Sequence, residues 1–439
     1  MNDHITVREY ARLTTDGVAK PSLDRAHVSR TAFDWLCKLS SEFRASGAAL
    51  VEVESARWLK LDNYVGVIET PCGTRLEILP KHVDEEGSEV ESRSLLQRMI
   101  CAAMDLPVRE TSETNLKKFD APLSEWVIGR FLSALDHLIK RGVRSDYQRV
   151  EAAERYLRGQ LDTARQMRQP PGRQQVFQIR HDIFVPDRPE NRLLKRALDQ
   201  VARVAQTPAN WRLAQELRSI LHEVPASTNV DSDFRAWRRD RLMAHYQPVR
   251  PWCELILYRQ MPYSLVGDWR GISMLFPMEK LFERYVASLL RRTLLSGTEM
   301  VTQARSEYLC RHDGGDMFRL EPDILLMKPG RKWVLDTKWK RIDAGARAKN
   351  YLLSQADFYQ LHAYGAKYLG RQGGELVLIY PRRLSFQTAL PVFDFGGGIN
   401  LWVLPFDLDD GLLVDAEMAG IPLVKESTKP IELDSRLVA

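Results

Sequence analysis

Apolar positions along the chain follow two periods, and the changes between them mark three regions. In residues 1–112 a helix is predicted over Asp24–Phe43, where Ala32, Phe33, Leu36, Cys37 and Leu39 recur at helical spacing. Strand-like runs follow at Ala49–Glu54, Arg57–Leu61, Tyr64–Glu69 and Arg75–Leu79, the last two joined by the turn sequence Thr70-Pro71-Cys72-Gly73. Pro80 closes the strand around Leu76-Glu77-Ile78-Leu79. A second helix, Glu91–Met104, stops at Asp105-Leu106-Pro107. This region reads as a small β-rich domain.

Residues 113–265 read as helical. Ser124 is placed to cap a helix over Glu125–Arg141, with a stripe of Val127, Phe131, Leu135, Leu138 and Ile139. Gly142 ends that helix behind Lys140 and Arg141. Beyond Tyr156–Leu161 comes a basic, proline-containing stretch, Arg165–Gln175, without apolar period, which reads as a solvated loop, the alternative being a loop that contacts phosphates. After Phe177–Phe184 and the segment Pro186–Asn191, a helix is built on Leu193, Leu194, Ala197, Leu198 and Val201, and another on roughly Trp211–His222. Arg235–Arg241 is basic but carries acids beside it, so a solvated helical face is expected there.

Residues 266–424 begin a third pattern near Pro262, with a helix over Glu279–Leu295. Two β-rich runs follow, Phe318–Met327 and Trp333–Trp339, then a helix over Ser354–Leu369. A strand over Leu376–Tyr380 stops at Pro381, and Asn400–Phe406 makes a further strand. The order helix, hairpin, helix, strand predicts a mixed sheet with helices on both faces. Residues 425–439 read as a tail. The expected fold class is therefore mixed α+β and multidomain: β-rich first, helical in the middle, α/β at the end.

Composition narrows this little. At 439 residues the chain exceeds one ordinary core, so two or three domains are expected. A net charge of +5 permits nucleic-acid binding without demanding it. The five cysteines form no CxxC pair, so neither a zinc site nor a disulfide framework is suggested. The N-terminus lacks a signal-peptide apolar core and no run reaches the length of a membrane span, which leads to the expectation of a cytoplasmic protein with no membrane contact. A GxxxxGK[ST] loop is lacking, so no nucleotide triphosphate is expected to bind this chain.

The chemistry concentrates around one hairpin. Pro329 and Gly330, inside Lys328-Pro329-Gly330-Arg331, suit the middle of a turn between the two β-rich runs. If those two residues form the loop, Lys328 pairs with Arg331 and Asp323 falls opposite Asp336; a longer loop slips that register by a residue or two. Asp336 and Lys338 share one face of their strand. Two carboxylates and an ammonium thus gather in strands as apolar as Ile324-Leu325-Leu326 and Val334-Leu335, where carboxylates need a cation or hydrogen bonds. Mg²⁺ is the natural partner, and the lysine is placed to orient an attacking water. The alternative is an ordinary hairpin with solvent-facing charges. Either half of the pattern is common by chance; both together, at hairpin spacing and in apolar strands, favour a metal site over the plain hairpin.

The pattern Pro322-Asp323 … Asp336-Thr337-Lys338 resembles the PD-(D/E)xK nuclease signature. More widely, the chain resembles the McrC family, the nuclease subunits of McrBC modification-dependent (type IV) restriction systems. The likeness lies in Gly66–Glu69, Pro71, Gly73 and Ile78–Lys81; in Arg141-Gly142, Tyr147, Leu157–Gly159 and Glu190–Lys195; and in Leu281–Val286, Pro322–Ile324, Leu335–Trp339, Gln360-Leu361 and Tyr364. The resemblance implies a restriction-endonuclease-like C-terminal domain. It makes Asp323 and Asp336 metal-binding carboxylates and Lys338 the catalytic lysine. Glu283 matches the acidic residue on the helix before the core sheet, a further metal ligand. Gln360 and Tyr364 match a QxxxY element that supports the metal site or the DNA strand. The backbone carbonyl of Thr337 is a candidate ligand, its side chain pointing into the core.

The resemblance also implies partners: an McrB-like AAA+ GTPase ring that binds the GTP, and modified, methylcytosine-containing double-stranded DNA. The non-nuclease domains would dock on the ring, and Arg165–Gln175 and the β-domain around Lys81 are the first places to seek contacts with it. The implied activity is that of a Mg²⁺-dependent DNA endonuclease working in complex with its GTPase. The rival is a non-catalytic adaptor that docks on and stimulates an AAA+ ring, although a decayed site has no reason to keep Asp323, Asp336 and Lys338 together. An enzyme of RNA or of DNA repair is a third option, since the same core serves those roles.

Overall fold

The computed structural model of the protein describes residues 4–18, 20–45, 50–81, 89–104, 122–170, 172–173, 175–238, 240–257, 274–370 and 373–424. They form two compact units. One contains the described residues up to Leu123 and those from Met274 onward; the other contains 124–257.

The first part of the larger unit holds β1 (His4–Arg8), β2 (Arg12–Thr14), β3 (Arg25–His27), α1 (Arg30–Ala45), β4 (Val51–Ser55), β5 (Trp58–Leu61), β6 (Tyr64–Glu69), β7 (Arg75–Leu79) and α2 (Glu89–Ala103). The helix expected from Asp24 starts only at Arg30, because Arg25–His27 pair in parallel with β2 instead. β3-β2-β5-β4 make one sheet; β1, β7 and β6 make another, which β11 (Met274–Pro277) completes beside β6. Leu13, Phe33, Leu36, Leu59, Leu76 and Ile78 fill the core between these elements. Gly66 faces β11 so closely that a Cβ would lie 1.9 Å from the Met274 carbonyl oxygen, and its φ of +133° is open to glycine. The turn expected at Thr70–Gly73 is present, closed by Gly73 N–H donating to the Thr70 carbonyl at 2.9 Å.

Glu77, fully buried on β7, accepts hydrogen bonds from Arg93 Nε at 3.0 Å and Nη2 at 2.7 Å. Its carboxylate also accepts from the backbone N–H of Leu123 at 2.9 Å. Leu123 opens α3 (Leu123–Arg141), so Glu77 holds that first turn and Ser124 does not cap it; the Ser124 hydroxyl is buried inside the helix without a partner. Asp105-Leu106-Pro107 lie outside the described residues.

The smaller unit corrects the expectation of a helical middle by adding a sheet to its helices. β8 (Asp146–Glu154), β9 (Gln160–Leu161) and β10 (Phe177–Val185) form an antiparallel sheet, with β8 and β10 paired from Asp146↔Val185 to Glu154↔Phe177. Most side chains of β8 are exposed on both faces, so the apolar alternation that signals a strand is missing. A short helix, α4 (Thr163–Met167), capped by the Asp162 side chain, occupies the start of the stretch that reads as a loop; within that stretch Pro171 and Gln174 lie outside the described residues. α5 (Pro189–Val204), α6 (Pro208–Ile220), α7 (Val230–Ala236) and α8 (Arg250–Leu257) supply the rest. Asn191 is structural: Nδ2 donates to the Arg144 and Pro186 carbonyls and Oδ1 accepts from Tyr246. Trp237, inside the basic Arg235–Arg241 stretch, is buried and stacks on Phe234; Arg239 lies outside the described residues.

The second part of the larger unit contains α9 (Met278–Thr293), β12 (Glu299–Thr302), β13 (Glu307–His312), β14 (Gly315–Leu320), β15 (Ile324–Lys328), β16 (Arg331–Thr337), α10 (Gln355–Tyr364), β17 (Gly374–Pro381), β18 (Phe393–Asp394), β19 (Ile399–Asp407) and β20 (Leu412–Leu413). Pro262 lies outside the described residues. Seven strands form a mixed sheet in the order β12-β15-β16-β17-β19-β18, with β20 also on β19. β15 and β16 are antiparallel; β16, β17 and β19 are parallel. Val334, Leu376, Leu378, Leu401 and Val403 pack against Leu361 and Tyr364 of α10. Phe406 of β19, of opposite parity to Val403, meets Phe282 of α9 at 6.1 Å between ring centres, so helices cover both faces, as the element order predicts. The run Phe318–Met327 is not one strand. Glu321-Pro322-Asp323 interrupts it, and β14 pairs with β13 as a separate two-stranded ribbon. No described helix is long and apolar enough to cross a membrane.

Candidate active site

The hairpin has the register that a two-residue loop demands. Lys328 pairs with Arg331 and Ile324 with Leu335, while Gly330 takes a φ of +78° in the turn. The same register carried one step further sets Asp323, just ahead of β15, against Asp336 near the end of β16. Asp336 and Lys338 point to the α10 side, and Lys338 Nζ lies 2.6 Å from Asp336 Oδ2. The contact is a short ion pair that, against burial, lowers the Asp336 carboxyl and raises the Lys338 ammonium.

Asp323 is satisfied differently. Its Oδ2 accepts from both the backbone N–H and the hydroxyl of Thr337, each at 2.7 Å. The Thr337 side chain is thus buried, as expected, but its hydroxyl is spent on the carboxylate rather than lost among apolar groups. Burial, and then the charges of Asp336 and Glu283, push the Asp323 carboxyl up to about 7 against those two hydrogen bonds. Burial also raises Asp336, with Lys338 opposing it. For Lys338 burial alone would favour the neutral amine, but the Asp336, Asp357 and Asp323 charges outweigh it and lift the ammonium above its usual range.

Glu283, on α9, is buried with both oxygens engaged. Lys280 Nζ lies 2.7 Å from Oε2, and Gln303 Nε2 donates to Oε1 at 3.1 Å. Gln360 and Tyr364 prove to belong to the lysine. Lys338 Nζ donates to Gln360 Oε1 at 3.2 Å, Gln360 Nε2 to the Tyr364 hydroxyl at 2.7 Å, and that hydroxyl to the Glu321 carbonyl at 3.1 Å. The relay ends two residues before Asp323. Burial, with Asp336 adding to it, pushes the Tyr364 phenol up to about 12, so it stays a donor.

Sequence reasoning missed Asp357 and Lys340. Asp357 lies three residues before Gln360 on α10, is buried, and meets Lys340 Nζ through both carboxylate oxygens at 3.1 and 3.0 Å. Its position at i−3 from Gln360 was the available signal. Among the described residues no three His, Cys, Asp or Glu side chains are disposed to hold a metal ion by themselves. Trp339 is the outward tie of the strand: its ring packs on Phe282 at 5.2 Å and its Nε1 donates to Glu9 at 2.8 Å.

A mixed sheet flanked by helices carries a carboxylate–lysine ion pair at the end of its central hairpin, in an α/β fold. The chain belongs to the family of McrBC 5-methylcytosine restriction system components, whose model matches residues 59–381. Its structure is similar to that of a half-complex from a tetradecameric assembly of Thermococcus gammatolerans McrB AAA+ hexamers with bound McrC. That match has a TM-score of 0.69 at 19% identity and covers 95% of this chain and 98% of the other. A second structure, of the Thermococcus gammatolerans McrBC complex, gives a TM-score of 0.51 at 22% identity over 66% of this chain and 87% of the other. At such identities the two matches speak for the fold. No curated protein sequence matches the chain.

Proposed function

We propose that this chain is the Mg²⁺-dependent DNA endonuclease subunit of a GTP-driven McrBC complex, cutting modified double-stranded DNA beside an McrB-like AAA+ ring. The observation that carries the reading is the set Asp323, Asp336 and Lys338 at one hairpin, Asp336 buried and the other two half-buried, with the lysine also held by Gln360. Family membership and the likeness to McrB hexamers with bound McrC support the partner. The C-terminal α/β part is the PD-(D/E)xK nuclease domain in this reading, and the β-rich N-terminal part and middle region serve docking.

The donor set fits Mg²⁺, which needs only one or two carboxylates and completes its shell with waters and phosphate oxygens. Asp323 and Asp336 would hold it, with the Thr337 carbonyl beside them; Glu283 would join by releasing Lys280 or Gln303. Bound there, the ion would supply positive charge to the phosphoryl oxygens. Lys338 orients the attacking water and stabilises charge that develops on the phosphate. Gln360 and Tyr364 are positioning residues, since they reach the reaction through the ammonium they hold.

The test is cleavage of methylated and unmethylated plasmid by this chain with the AAA+ protein encoded beside its gene, in Mg²⁺ and GTP. Cutting that requires methylation, GTP, the partner and Lys338 together supports the reading. Stimulated GTP hydrolysis with no cutting by the wild type would instead make the chain an adaptor.

A further inference from the structure

The face of α10 turned away from Asp357, Gln360 and Tyr364 borders a cavity of about 690 Å³. Its walls are Tyr351, Phe358, Tyr359, His362, Phe393 and Phe395. Phe358 meets Phe393 at 86° and Phe395 at 62°, and His362 meets Phe395 at 62°, so the rings wall a slot instead of filling it as one stack. Ser354 and Gln355 place polar groups at the same cavity. The volume lies within the usual range of ligand sites, and the lining, mostly apolar with a few polar groups, is what such sites use.

Two further observations narrow the occupant. Asn350, Tyr351 and Leu352 take φ of +53°, +56° and +62°, a left-handed run that costs energy for Tyr and Leu and is common where the backbone is shaped around a ligand. The run is held in place by Tyr351 N–H donating to the Ala346 carbonyl at 3.0 Å and Asp343 N–H donating to the Tyr351 carbonyl at 3.1 Å. Between Lys340 and Gln355 the chain carries Lys340, Arg341, Arg347 and Lys349 against the single acid Asp343. Arg347 and Lys349 are exposed. Cations beside an aromatic slot match a polyanion bearing flat rings.

The slot and the Lys338 centre lie on opposite faces of one helix, roughly 10–12 Å across. That is about three nucleotides at a rise of roughly 3.4 Å per step. We propose that the slot receives an unstacked nucleobase of the DNA strand whose backbone lies in the active site, with Arg347 and Lys349 on the adjoining phosphates. The proposal rests on the nuclease reading and adds to it a grip on the strand beside the cut.

The test is the affinity of a labelled oligonucleotide for the full chain in complex with its AAA+ partner, with Ca²⁺ replacing Mg²⁺ to prevent cutting. Tyr359 is 67% exposed, so Tyr359→Ala removes a wall without opening a core. Tyr359→Ala is expected to weaken binding roughly 5- to 150-fold, the worth of one base–aromatic stack. Tyr359→Phe, which keeps the ring, restores it, and Lys338→Ala loses cutting in Mg²⁺. Unchanged affinity in Tyr359→Ala, with Lys338→Ala still unable to cut, overturns the slot and leaves the nuclease reading standing. Unchanged DNA affinity with a weakened AAA+ partner assigns the slot to protein and overturns it likewise. A wild-type complex that binds no DNA removes both readings.

Discussion

Trp339 Nε1 donates to the Glu9 carboxylate across 2.8 Å, although the two residues stand 330 positions apart. Glu9 is fully buried, accepts from the Lys81 backbone N–H at 2.8 Å as well, and burial lifts its carboxyl above the usual range. The pair ties the residue next to Lys338 to the first strands of the chain. Glu9→Ala leaves two buried N–H groups unsatisfied, each worth about 1–3 kcal/mol. We expect a loss of roughly 2–5 kcal/mol in denaturant unfolding, with Glu9→Gln, which keeps an acceptor, losing much less. Equal losses in the two variants would show that the carboxylate's shape, not its acceptor, matters.

Lys338 is held by Asp336 on one side and Gln360 on the other. Lys338→Ala is expected to lower the cutting rate by at least ~100-fold, on the scale of losing one preorganised charge at a transition state. Gln360→Ala frees the ammonium from its relay and is expected to cost ~10–100-fold, the usual effect of losing an outer-shell partner. Tyr364→Phe removes a donor one bond further away and should cost less than Gln360→Ala. Single-turnover cleavage by the complex ranks the three; Tyr364→Phe falling below Gln360→Ala would refute the relay.

The Asp323 carboxyl sits at about 7. Between about pH 4, where an unfolded carboxyl ionises, and that value, the native protein binds more protons than the unfolded chain. The metal-free stability therefore falls as pH rises through this window, and the raised carboxyl is an expense that ionisation exposes. A bound cation offsets that cost only once the carboxylate forms. Mn²⁺ should raise the melting temperature more at pH 8 than at pH 6, and Asp323→Asn should erase the difference. A metal effect independent of pH in the wild type would contradict it.

Gly66 tests the joint between β6 and β11. A Cβ at this position meets the Met274 carbonyl oxygen at 1.9 Å, a backbone atom that has nowhere to turn. Gly66→Ala is expected to destabilise by more than about 3 kcal/mol, above the ordinary range for point changes. Gly142→Ala has a similarly positive φ of +99° but open space, so it should cost only backbone strain. Thermal melts of the two variants check the contrast.

What was legible in the sequence was what local rules control. Pro329-Gly330 set the hairpin register, and β6 and β7 came out with the bounds their composition suggests, Tyr64–Glu69 and Arg75–Leu79. The helix before the hairpin and the strands after it were likewise readable from period alone. β8 was not, because a strand exposed on both faces carries no alternation. The start of α3 was misplaced because its cap, Glu77, comes from a distant strand and not from Ser124. The same holds at the site. Spacing announced Asp336 and Lys338, but only the fold brings Asp357 to Lys340 and turns the Thr337 hydroxyl on Asp323.

The larger unit is discontinuous in sequence, with residues 124–257 belonging to the other. A chain made from its N-terminus exposes those residues to the solvent complete, while β6 still waits for β11 and Glu9 for Trp339. Most of the smaller unit is therefore continuous in sequence, whereas the larger one must close a long loop late. Lys338 is aligned only in the last quarter of translation. A chain that ends before Gln360 therefore never brings Asp336, Lys338 and Gln360 together.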